Sequence, residues 1–271
     1  MDLLRKKNPT HVSQGVKNIQ HVKRGDAELR YIEFDIYEIE PGYALTKEFS
    51  DLETCIVILT GKANVETDGH SYTGIGTRDS VFDQIPTDSV YVPSGIEWTV
   101  TANTSIRIAV CLSPSTRKGE VKWLKASDIK PEHRGENNNQ RTVFNILPDN
   151  HPAAERLLVV EVITPSGNWS SYPPHKHDND NLPQESLLEE TYYHEMNPSQ
   201  GFVFQRVYTD NRQLDELMAV ENQDVVLVPK GYHPVAVPEG YTSYYLNVMA
   251  GPKRIWKFHN EEAHEWILQK K

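Results

Sequence analysis

Asp224-Val225-Val226-Leu227-Val228-Pro229-Lys230-Gly231-Tyr232-His233 repeats, at a constant offset, the earlier stretch Asp88-Ser89-Val90-Tyr91-Val92-Pro93-Ser94-Gly95-Ile96-Glu97. Each copy is an acid, a short apolar run rich in β-branched residues and a Pro-x-Gly turn, which reads as a strand entering a sharp bend. A chain that writes the same phrase twice is expected to build the same unit twice. Leu52-Glu53-Thr54 echoes Glu189-Glu190-Thr191 and sets Glu53 against Glu190. Glu97 stands where His233 stands, so the copies differ in chemistry.

Working outward, Tyr31 to Ile39 alternates apolar and acidic residues as a half-buried strand does. Thr54–Leu59, Ala63–Glu66, Ser89–Val92, Trp98–Ala102 and Ile106–Leu112 follow, with turn residues every eight to twelve positions. This pattern predicts an antiparallel barrel or sandwich. Ala126 to Gln140 is polar, with Lys130-Pro131, Arg134-Gly135 and three consecutive asparagines, and reads as a connection. The strand pattern then resumes at 157–163, 202–208, 225–228 and 244–249. The expected fold class is therefore all-β, in two tandem barrels covering 1–126 and 127–271. A short C-terminal helix is expected from Asn260 to Lys271, with Asn260 as its cap, acids first, lysines last, and Ala263, Trp266 and Ile267 on one face.

His233 has company in the second half. In Pro173-Pro174-His175-Lys176-His177 the two histidines lie two apart, so on a strand both rings project from one face. Glu190 opens the alternating run Glu190 to Met196. Three imidazoles and one carboxylate, His175, His177, Glu190 and His233, form a nitrogen and oxygen ligand set suited to one divalent transition metal: zinc, manganese, iron or nickel. Counting back from Glu53 places Thr46 and Glu48 where the two histidines would fall. The first half is thus expected to keep the scaffold and lack the metal.

The 271 residues carry a formal net charge of −10 and 38% hydrophobic residues, enough for packed cores and without a basic footprint for nucleic acid. Cys55 and Cys111, the two cysteines, sit in apolar runs and are expected to be buried reduced thiols. The N-terminal residues lack a signal peptide's apolar core, and no apolar run approaches the roughly twenty residues that cross a bilayer. A cytoplasmic protein with no membrane or nucleic-acid partner is expected. Exposed barrel edges make a homo-oligomer an expectation without a nameable interface.

The His-x-His, Glu and distant His arrangement, with its Pro-x-Gly turn, resembles the cupin superfamily, whose barrel is a double-stranded β-helix or jelly roll, and its duplication resembles a bicupin. Pro173 to Asp178, Glu189 to Tyr193, Gln205 to Thr209 and Tyr245 to Pro252 are similar to the 5-deoxy-glucuronate isomerase family of inositol catabolism. That resemblance implies a metal-dependent aldose–ketose isomerase converting 5-deoxy-D-glucuronate to 5-dehydro-2-deoxy-D-gluconate, with the metal on His175, His177, Glu190 and His233. An aromatic residue is expected where this chain has His194, on the Glu190 face.

Moving a carbonyl from C1 to C2 requires a proton taken from C2, stabilised enediolate charge and a proton delivered to C1. Glu190 and Tyr192, on one strand face, are the expected catalytic residues. A sugar-acid substrate also needs its carboxylate held, and Arg206 and Lys230 are the expected anchors. Lys176, between the histidines, is expected to turn away as a solvated charge. A metal-dependent dioxygenase and a non-catalytic sugar-acid-binding module are the alternative readings.

Overall fold

The computed structural model describes residues 1–269. Each half contains a seven-stranded sheet and a four-stranded sheet. In the first half the large sheet runs, in spatial order, Lys122–Leu124, Ser89–Val92, Leu52–Thr60, Ile106–Pro114, Glu33–Ile39, Val16–Val22 and Thr10–Ser13. In the second it runs Leu4–Arg5, Val225–Val228, Glu189–Asn197, Thr242–Ala250, Leu158–Thr164, Arg141–Leu147 and Pro131–Arg134. The small sheets correspond as well: Ala44–Lys47, Trp98–Ala102, Ala63–Thr67 and His70–Ile75 against Trp169–Ser170, Val235–Ala236, Phe202–Tyr208 and Asp215–Glu221.

The long strands read as continuous apolar runs because both faces are covered. Along Leu52–Thr60, Ile56 and Ile58 face the first barrel's interior, while Cys55, Val57 and Leu59 face a core shared by both halves. Along the second half's strands, Tyr192, Val226 and Val228 face the second interior, and Tyr193, Val225 and Leu227 join the shared core. The two large sheets therefore pack back to back. Cys55 and Cys111 lie directly opposite on neighbouring strands of that core, fully buried and unbonded, and burial pushes both thiols up from their ordinary pKa.

The pairing corrects the repeat by one position. Thr54 is paired with Val92 as Glu190 is with Val228, so Thr54, not Glu53, is the counterpart of Glu190. Glu53 corresponds to Glu189, and both lie on the face turned toward the other half. A one-residue slip moves every side chain to the opposite face, which is why a matched three-letter phrase was misleading. Thr46 and Glu48 shift too. Thr46 pairs with Thr99 as Ser170 pairs with Val235, so Thr46 corresponds to Ser170. The connection from Ser170 to Glu190 is longer than that from Thr46 to Thr54, and this added chain carries His175 and His177.

One segment crosses the expected boundary between 126 and 127. Leu4–Arg5 completes the second half's sheet beside Val225–Val228, as Lys122–Leu124 does beside Ser89–Val92. The polar connection is itself partly strand: Pro131–Arg134 pairs with Arg141–Leu147. At the other end, His259–Asn260 pairs with His175–Lys176, so Asn260 is a strand residue rather than a helix cap. The helix that follows is a tight 3-10 turn over Glu262–Gln269 and buries nothing; Trp266 is 50% exposed because this winding does not align the expected apolar face. The expected closing lysines, Lys270 and Lys271, lie outside the described residues. No helix among those residues is long and apolar enough to cross a membrane.

Candidate metal centre

Glu190 enters the second barrel at the start of Glu189–Asn197, with its side chain on the interior face and 2% exposed. One carboxylate oxygen, Oε1, accepts from the Asn247 amide on the neighbouring strand. The other, Oε2, lies 2.8 Å from His177 Nε2 and 3.1 Å from His233 Nε2. His177, Glu190 and His233 offer one ligand atom each, all within 4.8 Å of one another and all buried.

The orientation of these rings is set from behind. His177 Nδ1 lies 2.9 Å from the Leu188 carbonyl, and His233 Nδ1 lies 2.8 Å from the Gly231 carbonyl. A carbonyl oxygen only accepts, so each Nδ1 carries a proton and each Nε2 faces Glu190; burial lowers the His177 pKa, but its hydrogen bond to Glu190 and the carboxylate charge outweigh burial and raise it. Gly231 makes this turn possible, with φ of +94° and a position where a Cβ would meet the Tyr208 carbonyl at 2.5 Å. His233 Nε2 is fully buried and makes no hydrogen bond. Two imidazole nitrogens and a carboxylate oxygen converging on one point are the donor set a divalent metal takes, its binding displacing any proton they share.

His175 stands beside the cluster. Its ring centroid is 5.0 Å from His233 and 6.4 Å from His177, and the grouping of 4.8 Å does not extend to it. Burial first, then His233 and His177, hold its pKa well below the imidazole range, so it is neutral. Phe258 of the C-terminal tail packs against it at 4.7 Å. Burial opposes the charge on Glu190, but His233 and His177 outweigh it and keep the carboxyl well below the usual range.

Glu190 and His175 line a cavity together with Ser171, Tyr192, Tyr245 and Asn247, and Arg134, Arg141 and Trp256 also contribute to its wall. Tyr192 is buried, and its hydroxyl lies 3.0 Å from Ser171 Oγ. Burial and the Glu190 charge raise its pKa well above the ordinary phenol value.

The expected anchors lie elsewhere. Arg206 is exposed, forms two 2.7 Å bonds to Asp215 and stacks on Tyr208. Lys230 is exposed and pairs with Glu28 across the halves. Neither lines the cavity. Lys176 turns away from the cluster as expected but is buried rather than solvated, at 2.9 Å from Asp210 and 3.1 Å from Asp178. His194 is fully buried behind Tyr192 and bonds Gln205 at 3.0 Å, with no place in the cavity wall. Ser171, Asn247, Arg134 and Arg141 were missed. Asn247 and Ser171 acquire their partners through pairing across the barrel, which no local pattern reports, and Arg134 and Arg141 lay in or beside a stretch read as a linker.

The pattern that defines the KduI/IolB family matches residues 3–267. The chain is 58% identical over 268 residues to a 5-deoxy-glucuronate isomerase of Bacillus licheniformis, covering 99% of each. It is 57% identical over 268 residues to the Bacillus subtilis strain 168 protein of that name, again covering 99% of each. Among solved structures, an IolB-like protein from Salmonella typhimurium superposes with a TM-score of 0.94 at 47% identity, covering 99% of this chain and 100% of that one. An oxalate decarboxylase of Bacillus subtilis shares the tandem-barrel fold with a TM-score of 0.66 at 12% identity, over 96% of this chain and 79% of that one.

Proposed function

The chain belongs to the KduI/IolB family, and from that membership and its cupin-type second barrel we propose an aldose–ketose isomerase that converts 5-deoxy-D-glucuronate to 5-dehydro-2-deoxy-D-gluconate in myo-inositol catabolism. The convergence of two imidazole nitrogens on one Glu190 oxygen carries the reading of the second barrel as the active centre. His177, Glu190 and His233 would hold a divalent metal, with His175 as the fourth ligand; zinc, manganese, iron and nickel all suit this set. When bound, such a cation supplies Lewis-acid stabilisation to charge developing on adjacent substrate oxygens.

The protein's own groups account for the rest. In the forward direction the proton on C2 leaves, its electron pair forms the C1–C2 double bond, and charge moves to O1. Protonation of O1, loss of the O2 proton and protonation at C1 then complete the ketose: C2 and O2 each give up a proton, O1 and C1 each gain one, and no atom is gained or lost. Tyr192, kept protonated by burial beside Glu190, is placed to donate to a substrate oxygen, with Ser171 orienting its hydroxyl. Glu190 has both oxygens committed, to Asn247 and to the imidazoles, so ligation is its main role. Tyr245 and the cavity's valines exclude water around the reacting carbons. The unbonded thiols of Cys55 and Cys111 fit a reducing cytoplasm.

Turnover in deuterated water tests the proposal. One solvent-derived deuterium is expected on the ketose's hydroxymethyl carbon, the former aldehyde carbon, together with one metal equivalent by elemental analysis and loss of turnover with chelator. Undiminished turnover by the His175→Ala, His177→Ala double variant would overturn it.

A further inference from the structure

We infer that Arg141 is the carboxylate anchor of this site and sets its preference for sugar acids over neutral sugars. The inference rests on the isomerase reading for the identity of the ligand, and on the cavity wall for the residue. Arg141 begins the strand Arg141–Leu147, three places from Glu189–Asn197 in the large sheet, and lines the same cavity as Glu190 and His175. Its guanidinium is half-buried and makes one hydrogen bond, from Nη1 to the Asn139 carbonyl at 2.9 Å. Among the described residues it has no carboxylate partner, which sets it apart from Arg134, the other arginine of the cavity wall, held by Glu132.

A guanidinium taken out of water without a counter-charge is costly, and proteins keep such groups where a ligand completes the pair. Burial lowers its pKa from the ordinary value, with Arg134 adding to the effect and Tyr245 opposing it. The backbone is built around it. Gly135 has φ of +82°, and a Cβ there would meet the Asn139 carbonyl at 1.9 Å and Arg141 Nη1 at 2.7 Å. The loop thus fixes the guanidinium from behind and leaves its other N–H groups free for the cavity. A uronate carries its aldehyde and its carboxylate at opposite ends of the carbon chain. A site with donors for a cation on Glu189–Asn197 and an unpaired arginine on a strand three places across the sheet matches that polarity. Arg offers a planar bidentate fork for the carboxylate.

The test compares Arg141→Gln and Arg141→Lys with the wild type on 5-deoxy-D-glucuronate and on the 5-deoxy-aldohexose that carries a hydroxymethyl group in place of the carboxylate. Arg141→Gln is expected to lose about a hundredfold or more in kcat/KM on the uronate, chiefly in KM, and to change little on the neutral sugar. Arg141→Lys should recover part of the loss, and metal content should stay at the wild-type level. An equal loss on both sugars, or none on the uronate, overturns the anchor. Should Arg141→Gln fail to fold, the Lys variant decides by the same ratio. If the wild type isomerises neither sugar, the isomerase reading falls, and calorimetric titration with D-glucarate decides the anchor alone. Binding that is lost in the variant supports it, and equal or absent binding in both proteins overturns it.

Discussion

Asn247 shows how much of the site depends on a residue that carries no metal chemistry of its own. Its amide holds Glu190 Oε1 and so aims Oε2 at the two imidazoles. Replacing such a supporting partner costs about 10–100-fold in metal affinity, so Asn247→Ala is expected to bind metal that much more weakly while keeping its fold, as read by titration with a competing chelator. His194 acts through stability instead. Burial pushes its pKa down to about 4, with the Gln205 bond opposing, whereas an unfolded imidazole titrates near 6.5. Between those pH values the unfolded chain binds a proton that the folded chain refuses. The stability is therefore fully present above about pH 6.5 and falls with pH through that window, by at most about 3 kcal/mol. His194→Gln should flatten the decline in denaturation midpoint between pH 7 and pH 4.5 relative to wild type. The histidines and Glu190 were legible in the sequence because ligand chemistry is written in residue type. Asn247, Ser171 and Arg141 were not, because their roles come from which distant strand lies beside them.

At the level of strands and turns, the apolar runs at 89–92, 98–102, 202–208 and 225–228 were legible to the residue, since alternation and Pro-Gly punctuation mark them. Edge hairpins such as Thr10–Ser13 with Val16–Val22 and Pro131–Arg134 with Arg141–Leu147 were not, because a polar edge carries no apolar signal. The segment Leu4–Arg5 was likewise invisible, being too short to show a period. Leu3 beside it is 2% exposed and belongs to the second barrel's interior. Leu3→Ala should therefore destabilise by about 2–4 kcal/mol, measured by chemical denaturation. Its effect is expected on the half of the chain to which it does not belong in sequence, read as faster amide exchange in Val225–Val228 than in Ser89–Val92.

For the molecule as a whole, the two halves are clasped rather than strung together. Glu53 accepts from the backbone N–H groups of Glu155, Arg156 and Leu157, at 2.7–2.8 Å, and Glu189 accepts from those of Arg30 and Tyr31 at 2.8 Å. These are corresponding residues, each reaching into the opposite half. Between them Arg78 and Glu161 form a fully buried ion pair that Tyr244 completes. Removing one partner of such a pair leaves a stranded charge and costs about 3–5 kcal/mol, so Arg78→Met is expected to lose that much, while unfolding remains one transition seen alike by tryptophan fluorescence and circular dichroism. The repeat announced two units, yet the shared core hid from the sequence because an apolar strand buried on both faces does not say what lies against either.

The strand at Leu4–Arg5 also imposes an order of assembly. Those residues leave the ribosome long before Val225 and Val226, their neighbours in the finished sheet. The catalytic half cannot be sealed until nearly all of the polypeptide has been made, and the nascent first half must carry an unclaimed leading end until then. Moving residues 1–8 to follow residue 271 by permutation would free the molecule from that wait, at the cost of the continuous path from Arg5 into the first sheet.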